Sequence, residues 1–368
     1  MDGDKQFLSI APPYNRCVST TDVLIAGAGI IGLSTALELA RRGLRVAVLE
    51  RGRAMTEASW AAAGMLAAHD PENAPELRPL SDLSISLYPE YLNTIERLSG
   101  LQVPFRTSDT LQGSEPNHRF QNALPVAGIT SQVPDFDPAD RSFLWLKEHS
   151  LDPRDLCAAL PQAAAAAQVL LIENSPVTGF RAAESGVEVR TPQATWSGAH
   201  FINCSGAWAG TLSSIPSIEP RKGQMVTVKL PPQRALDCVI RVPDLYLVPR
   251  RDGRVVIGAS VEHAGFDKSV QETTIQSLLD QAAVLWPPIR EARVVETWAG
   301  LRPGSADGLP VIGACGDKNC WIASGHFRNG ILLAPGTARV MRELILGEPP
   351  SVDLAAYRCD RFASASVR

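Results

Sequence analysis

Two sets of residues in this 368-residue chain carry spacing that chemistry could use. The first is Asp22-Val-Leu-Ile-Ala-Gly27-Ala-Gly29-Ile-Ile-Gly32, which reads as a buried strand entering a glycine turn and then a helix. Gly27 lets the chain turn tightly, Gly29 lets a pyrophosphate approach the backbone, and Gly32 lets the helix pack close to the strand. The helix N-terminus offers unpaired N–H groups and a positive dipole end to phosphates. An amphipathic run over residues 33–42 follows, and a second strand, Arg45-Val-Ala-Val-Leu-Glu50, ends in an acid placed to hold a ribose hydroxyl. The implied chemistry is dinucleotide binding. The second set is Arg302, between Gly300-Leu301 and Pro303, and Tyr246. A guanidinium on extended backbone can bind a carboxylate through two parallel hydrogen bonds. Most arginines are solvated, and residue type alone favours that fate for Arg302. The Tyr246 hydroxyl could serve the same carboxylate or merely cap a sheet core.

The elements that must position these residues follow from the rest of the chain. Its length allows a large core and two domains. It is 45% hydrophobic and 20% charged, ordinary for a globular enzyme, and its net charge of -4 gives no reason to expect a nucleic acid or an anionic membrane as partner. Asp2 and Asp4, with no apolar stretch behind Lys5, argue against a secretory signal. The most hydrophobic window contains Ser34, Thr35 and Glu38, so no integral membrane segment is expected. Seven scattered cysteines without C-x-x-C predict reduced thiols and a cytoplasmic protein. Six isolated histidines predict no metal site. There is no G-x-S-x-G elbow and no P-loop lysine.

Residues 1–20 read as an irregular lead-in and residues 22–50 as β-α-β. The small-residue stretch 53–69 reads either as an Ala-rich helix or as a segment whose backbone lies against a flat ligand. Residues 80–98 have helical spacing, and residues 103–140, rich in Pro, Ser and Asp, carry little signal. Asp152-Pro153 starts a helix. Strands follow at 169–172, 187–190 and 200–204, the last opening into Ser205-Gly206-Ala207-Trp208. Residues 245–258 read as a β-hairpin turned by Asp252-Gly253, with Tyr246 on the opposite face from Leu245 and Leu247. A strand at 321–324, the loop Gly325-His-Phe-Arg328-Asn-Gly330 and a helix from Ile331 to about Leu346 close the pattern.

Four blocks in this order carry a resemblance: the fingerprint with Glu50-Arg51, Ala61-Ala-Ala-Gly64-Met65-Leu66, Trp298-Ala-Gly-Leu-Arg302-Pro, and Gly325-His-Phe-Arg328-Asn-Gly-Ile-Leu-Leu-Ala-Pro335. On them the chain resembles the FAD-dependent amine oxidases of the D-amino acid oxidase group, and within it the glycine oxidases of the thiamin-biosynthesis type, over about residues 20–345. The resemblance implies an α/β fold: a discontinuous Rossmann-like FAD-binding domain (residues 20–86, 145–220 and 300–350) and an α+β substrate domain on a mixed or antiparallel sheet (87–144 and 221–299). Residues 1–19 and 351–368 are then terminal extensions. It implies that Gly27, Gly29, Ile30, Ile31 and Gly32 form the cofactor-binding turn with Ile30 and Ile31 on the pyrophosphate, that Glu50 holds the ribose, and that Arg51 lies beside the adenine. Ala58, Ser59, Ala63, Gly64 and Met65 would line the pyrophosphate and flavin, with Val177 at the adenine and Gly206 also at the cofactor. His326, Phe327, Arg328, Asn329, Gly330, Ile331 and Leu332 would wrap the flavin pyrimidine, where a helix start favours the anionic reduced ring.

The resemblance also reverses the reading of Arg302, because Gly-Leu-Arg-Pro is the family's carboxylate anchor, with Tyr246 and Arg328 as further substrate contacts. Asp244 departs from the histidine expected there, and neither Cys315 nor Cys320 stands in the context of a flavin-attaching cysteine, so FAD is expected to be non-covalent. The expected reaction is oxidation of glycine or another small amine at Cα, with hydride passing to the flavin and no side chain acting as acid or base. Oxygen would be the acceptor, giving hydrogen peroxide, an oxo acid and ammonia, with a possible link to thiazole synthesis and a homotetramer as the family assembly. The alternatives are a sarcosine or D-amino acid oxidase or dehydrogenase and, in a different class, a non-catalytic nucleotide-binding redox sensor.

Overall fold

The computed structural model describes residues 18–183, 186–212 and 218–366. Two sheets organise them. The first runs, in spatial order, Val311–Ala314, Cys320–Ser324, Thr195–Asn203, Val18–Ala26, Val46–Leu49 and Leu170–Ile172. The five strands from Cys320–Ser324 to Leu170–Ile172 pair in parallel, and Val311–Ala314 is antiparallel at one edge. A sheet covered on both faces needs apolar residues on both, and Val23, Leu24 and Ile25 in succession are fully buried. Helices Ile30–Ala40, Arg78–Ser99, Pro153–Ala166 and Gly330–Leu346 supply the core on one face, while Val187, Val189 and Phe201 pack with Leu24 and Leu49 on the other.

The second sheet runs Arg293–Gly304, Glu219–Lys229, Arg254–Gly258, Leu245–Pro249, Val239–Val242, Thr110–Gly113 and Phe143–Leu146. Period-two alternation divides its side chains. Val226, Leu245, Leu247 and Ile257 pack under the helix Glu272–Leu285, whereas Met225, Tyr246, Val248 and Trp298 face the first half of the molecule and meet Ala61 and Ala63. The hairpin over 245–258 thus forms as its sequence predicts, with Tyr246 opposite Leu245 and Leu247.

Local signals were kept at the helix starts. Asp152 accepts from the Arg154 N–H at 3.0 Å and Pro153 occupies the first helical position. The sequence reading assigned no element to the strands Glu219–Lys229, Val239–Val242 and Arg293–Gly304 or to the helix Glu272–Leu285, and the structure differs from it at other points. The strand from Val18 takes in three residues of the expected lead-in. Within 103–140, the strand Thr110–Gly113 pairs in parallel with Val239–Val242, a partner far along the chain that local pattern cannot announce. The cysteines are not all reduced thiols: Cys315 and Cys359 form a disulfide that ties the last segment beside the strand Val311–Ala314, because the chain returns there after its last long helix. No helix among the described residues is long and apolar enough to cross a membrane.

Candidate active site

An open cavity of about 740 Å³ lies between the two sheets. The glycine turn stands at one end. Gly27 has φ +99°, and a Cβ there would come within 2.5 Å of the Cys204 carbonyl oxygen. Gly29, Ile30 and Ile31 line the cavity. Gly29 caps the helix without a side chain of its own, and Ser59 does this work from another segment, its hydroxyl accepting from the Ile30 N–H at 2.9 Å. The next first-turn N–H groups have no acceptor within the helix, so this end presents donors and a positive dipole. Glu50 also lines the cavity, and its buried carboxylate accepts from the Ala28 N–H at 2.7 Å and the Gly52 N–H at 2.9 Å. The acid therefore braces the turn while each oxygen retains a second lone pair for a hydroxyl. Arg51 bonds Glu57 at 2.6 Å and stacks 3.4 Å over the Trp208 ring. Val177 and Gly206 line this region too.

The small-residue stretch is a wall rather than an Ala-rich helix. Only Ala58–Ala61 is helical, and Gly64 then takes φ +82° where a Cβ would meet the Leu151 carbonyl oxygen at 2.2 Å. The wall is held from behind through its carbonyls. Trp298 Nε1 donates to Ala61 at 3.1 Å, the buried Arg250 donates to Ala63 at 2.6 Å, and the Leu151 N–H donates to Gly64 at 3.0 Å. Arg154 adds a guanidinium 3.8 Å over Trp60 and 4.9 Å over Trp298. Burial pushes the Arg250 guanidinium down to about 10, a drop that Asp152, 3.5 Å away, limits. With the rear carbonyls satisfied, Ala58, Ser59, Ala63, Gly64 and Met65 face the cavity.

At the other end Arg302 and Tyr246 come together from different strands. Cross-strand register places Trp298 against Met225, Met225 against Gly258, and Gly258 against Tyr246. The Tyr246 side chain folds over Gly258, where a Cβ would lie 2.6 Å from the hydroxyl. The Arg302 guanidinium lies over Gly223, where a Cβ would lie 2.3 Å from Nη1. Gly300 clears the same face for Ala61. Such glycines inside strands mark close approach, and that was the available sequence signal for Gly223, Gly258 and Gly300. Arg302 Nη1 donates to the Ser260 carbonyl at 3.1 Å. Burial lowers the Arg302 pKa and raises that of Tyr246, and the two groups facing each other oppose both shifts. Near neutrality the site therefore presents a cation and a hydroxyl donor.

The last loop closes the cavity. His326 to Ile331 line it, beginning with a short turn over Phe327–Asn329 that leads into the helix Gly330–Leu346. Phe327 takes φ +48°, unusual for a bulky residue and held there by its surroundings. Arg328 binds Glu72, Asn73 and Asp70, and Asn329 binds Asn73 at 3.0 Å, so both pin the turn. The Arg328 side chain is thus engaged with acids while its residue lines the cavity. The His326 Nε2 faces Thr337 Oγ1 at 3.0 Å, and burial holds the imidazole down to about 3, neutral across the physiological range. Two residues expected at the cofactor are set back. A Cβ on Gly32 would lie 1.9 Å from the Gly27 carbonyl oxygen, so this glycine permits the helix–strand contact, and Leu332 belongs to the core.

A glycine turn with helix N–H donors at one end of the cavity and a buried arginine–tyrosine pair at the other are an arrangement that a flavin oxidoreductase can use. The cradle fits FAD: the glycine turn, the helix start at Ile30 and the Glu50 carboxylate line one end, and small residues Ala58, Ser59, Ala63 and Gly64 leave room along the wall beyond. The chain belongs to the FAD dependent oxidoreductase family, whose model matches residues 22–344. It is 33% identical to a glycine oxidase of Pseudomonas aeruginosa over 91% of this chain and 97% of that protein. It is 34% identical to the bifunctional protein ThiO/ThiG of Synechocystis over 95% of this chain and 55% of that longer protein. Among solved structures, a glycine oxidase from Geobacillus kaustophilus superposes with a TM-score of 0.88 at 30% identity, covering 93% of this chain and 99% of the other.

Proposed function

We propose that this chain oxidises glycine, or another small amino acid or secondary amine, at Cα. The observation that carries this is the buried Arg302–Tyr246 pair opening on a cavity whose far end is the dinucleotide cradle. Arg302 and Tyr246 grip the substrate carboxylate and fix its orientation, which supplies much of the rate when two reactants must meet in one geometry. Arg328 and Asn329 hold the closing turn, and neutral His326 adds no positive charge against the substrate amine. The fingerprint, Glu50 and the 58–65 wall would hold FAD without a covalent bond, and the bound flavin would supply the hydride acceptor, with oxygen as final oxidant and hydrogen peroxide as its product. The imino product hydrolyses to an oxo acid and ammonia or enters thiazole synthesis, a role supported by the likeness to ThiO/ThiG proteins. We place the reaction in the cytoplasm, in a homotetramer, with residues 20–86, 145–220 and 300–350 as the cofactor domain and 87–144 and 221–299 as the substrate domain.

The test is a substrate panel of glycine, sarcosine, D-alanine and D-proline, read as peroxide released by the FAD-loaded protein, with ammonia from glycine and D-alanine and methylamine from sarcosine as accompanying products. Turnover led by glycine supports the reading. Turnover led by sarcosine or a D-amino acid keeps the class and moves the substrate. A yellow protein that turns over none of them with oxygen or an artificial acceptor overturns it.

A further inference from the structure

Lys222 is a fully buried lysine that the chemistry above does not use. It lies on the strand Glu219–Lys229, beside Gly223, the residue that makes room for the Arg302 guanidinium. A buried ammonium is retained where charge partners hold it. Those partners come from residues 259–271, the segment between the strand Arg254–Gly258 and the helix Glu272–Leu285. Lys222 Nζ donates to Asp267 at 3.1 Å and lies 3.6 Å from Glu262. The main chains of Lys222 and Glu262 exchange two hydrogen bonds, at 3.0 and 2.9 Å. Glu262 in turn accepts from the Ser260 hydroxyl and from Gln224 Nε2 at 2.8 Å, and the Gln224 N–H donates to the Ser260 hydroxyl at 2.9 Å. Ser260 is the residue whose carbonyl accepts from Arg302.

We infer that Lys222, acting through Glu262 and Ser260, is a positioning residue that sets the Arg302 fork for the substrate carboxylate. The inference rests on the reading of Arg302 as the carboxylate anchor. The segment has further ties. Val261 and Phe266 are 59% and 47% exposed, but Phe266 stacks on Trp208, Lys268 pairs with Glu57 at the surface, Arg221 Nη1 lies 2.8 Å from His263 Nδ1, and the Gln271 N–H donates to Gln224 at 2.7 Å. Gln224 and the Lys222 main chain also hold Ser260 and Glu262, so the lysine charge acts on the Glu262 side chain rather than as the anchor of the segment. Without that charge the Glu262 carboxylate turns toward water, the Ser260 hydroxyl loses its acceptor, and the Ser260 carbonyl shifts against the guanidinium whose plane it fixes. Bidentate recognition depends on that plane.

The test uses the FAD-loaded protein, titrated with sodium acetate by calorimetry and assayed with glycine. The side chains of Glu262 and Asp267 are 26% and 51% exposed, so both can hydrate when the lysine is removed. For Lys222→Met the expected result is acetate affinity lowered and glycine KM raised about tenfold, the scale of weakening one hydrogen bond to a charged group. The kcat, FAD content and melting temperature stay near wild type, and Lys222→Arg restores part of the affinity. Unchanged acetate affinity overturns the inference, as does a fall of affinity, kcat and FAD retention in step with stability, which marks a merely structural lysine. If Lys222→Met does not fold, Glu262→Gln carries the test, with weakened acetate binding expected and unchanged binding overturning the proposal. Arg302→Ala separates the two claims. If it binds acetate as wild type does, the anchor reading itself fails. If it loses acetate while Lys222→Met keeps it, only the positioning role fails.

Discussion

The two ends of the cavity are built differently. The dinucleotide end is mostly backbone: a glycine turn, helix N–H groups and a small-residue wall, with Glu50 and Ser59 bracing them from within about 30 residues of the turn. The carboxylate end is mostly side chain, Arg302 and Tyr246, aligned by register among strands that lie far apart in the chain. Backbone recognition tolerates change in most side chains and fails when a Cβ intrudes. Side-chain recognition fails at one residue and leaves the scaffold standing.

That contrast can be broken most sharply at Arg302. Arg302→Ala should lower kcat/KM for glycine about 10²–10³-fold, as removal of a buried charged hydrogen-bonding partner does, while FAD content stays at wild-type level. Steady-state peroxide assays and flavin absorbance check both halves. A variant that loses FAD together with activity would show the two ends to be one unit.

Gly27→Ala attacks the opposite end. A Cβ at φ +99° and 2.5 Å from a carbonyl costs about 1–3 kcal/mol in backbone strain before the contact is relieved. FAD affinity should fall at least tenfold, measured by reconstitution of the apoprotein, with glycine KM little changed in whatever fraction is loaded. Tyr246→Phe sharpens the division within the carboxylate end. Loss of one hydrogen bond to a charged group, about 1.5–3 kcal/mol, should raise glycine KM about tenfold or more and leave the flavin spectrum alone. Because burial raises the Tyr246 pKa, the hydroxyl remains a donor past the usual range of tyrosine, and any loss of substrate affinity through this residue should set in at higher pH than an ordinary tyrosine would give.

The smallest effect concerns stability. The His326 pKa is depressed to about 3 from an ordinary value near 6.5, so the unfolded chain binds this proton more tightly than the native one. The contribution of His326 is present above pH 6.5 and drains away as the pH falls toward 3. Urea unfolding at pH 7 and pH 5 should show the wild type losing stability on acidification, and His326→Asn should lose less. Equal losses would remove His326 from the account.

The same contrast explains what the sequence disclosed. The β-α-β fingerprint, the Asp152-Pro153 helix start and the Asp252-Gly253 hairpin are contiguous, and their local chemistry matched the structure. Arg302 was singled out only through family likeness, since nothing near it in the chain says that it is buried. Gly223, Gly258, Gly300 and Arg250 went unread because their roles exist only once four strands are in register and the 58–65 wall is docked. The strand Thr110–Gly113 was missed for a like reason, its partner lying more than 120 residues on. The Cys315–Cys359 bond needed the chain end to return to the first sheet.

The most direct measurement is anaerobic mixing of the FAD-loaded protein with excess glycine while following the visible flavin absorbance, with Arg302→Ala run beside it. The account predicts that the wild-type protein bleaches within the mixing series and that the variant stays yellow at the same glycine concentration. A wild-type protein that stays yellow with glycine, sarcosine and small D-amino acids, or a variant that bleaches as fast, would contradict it.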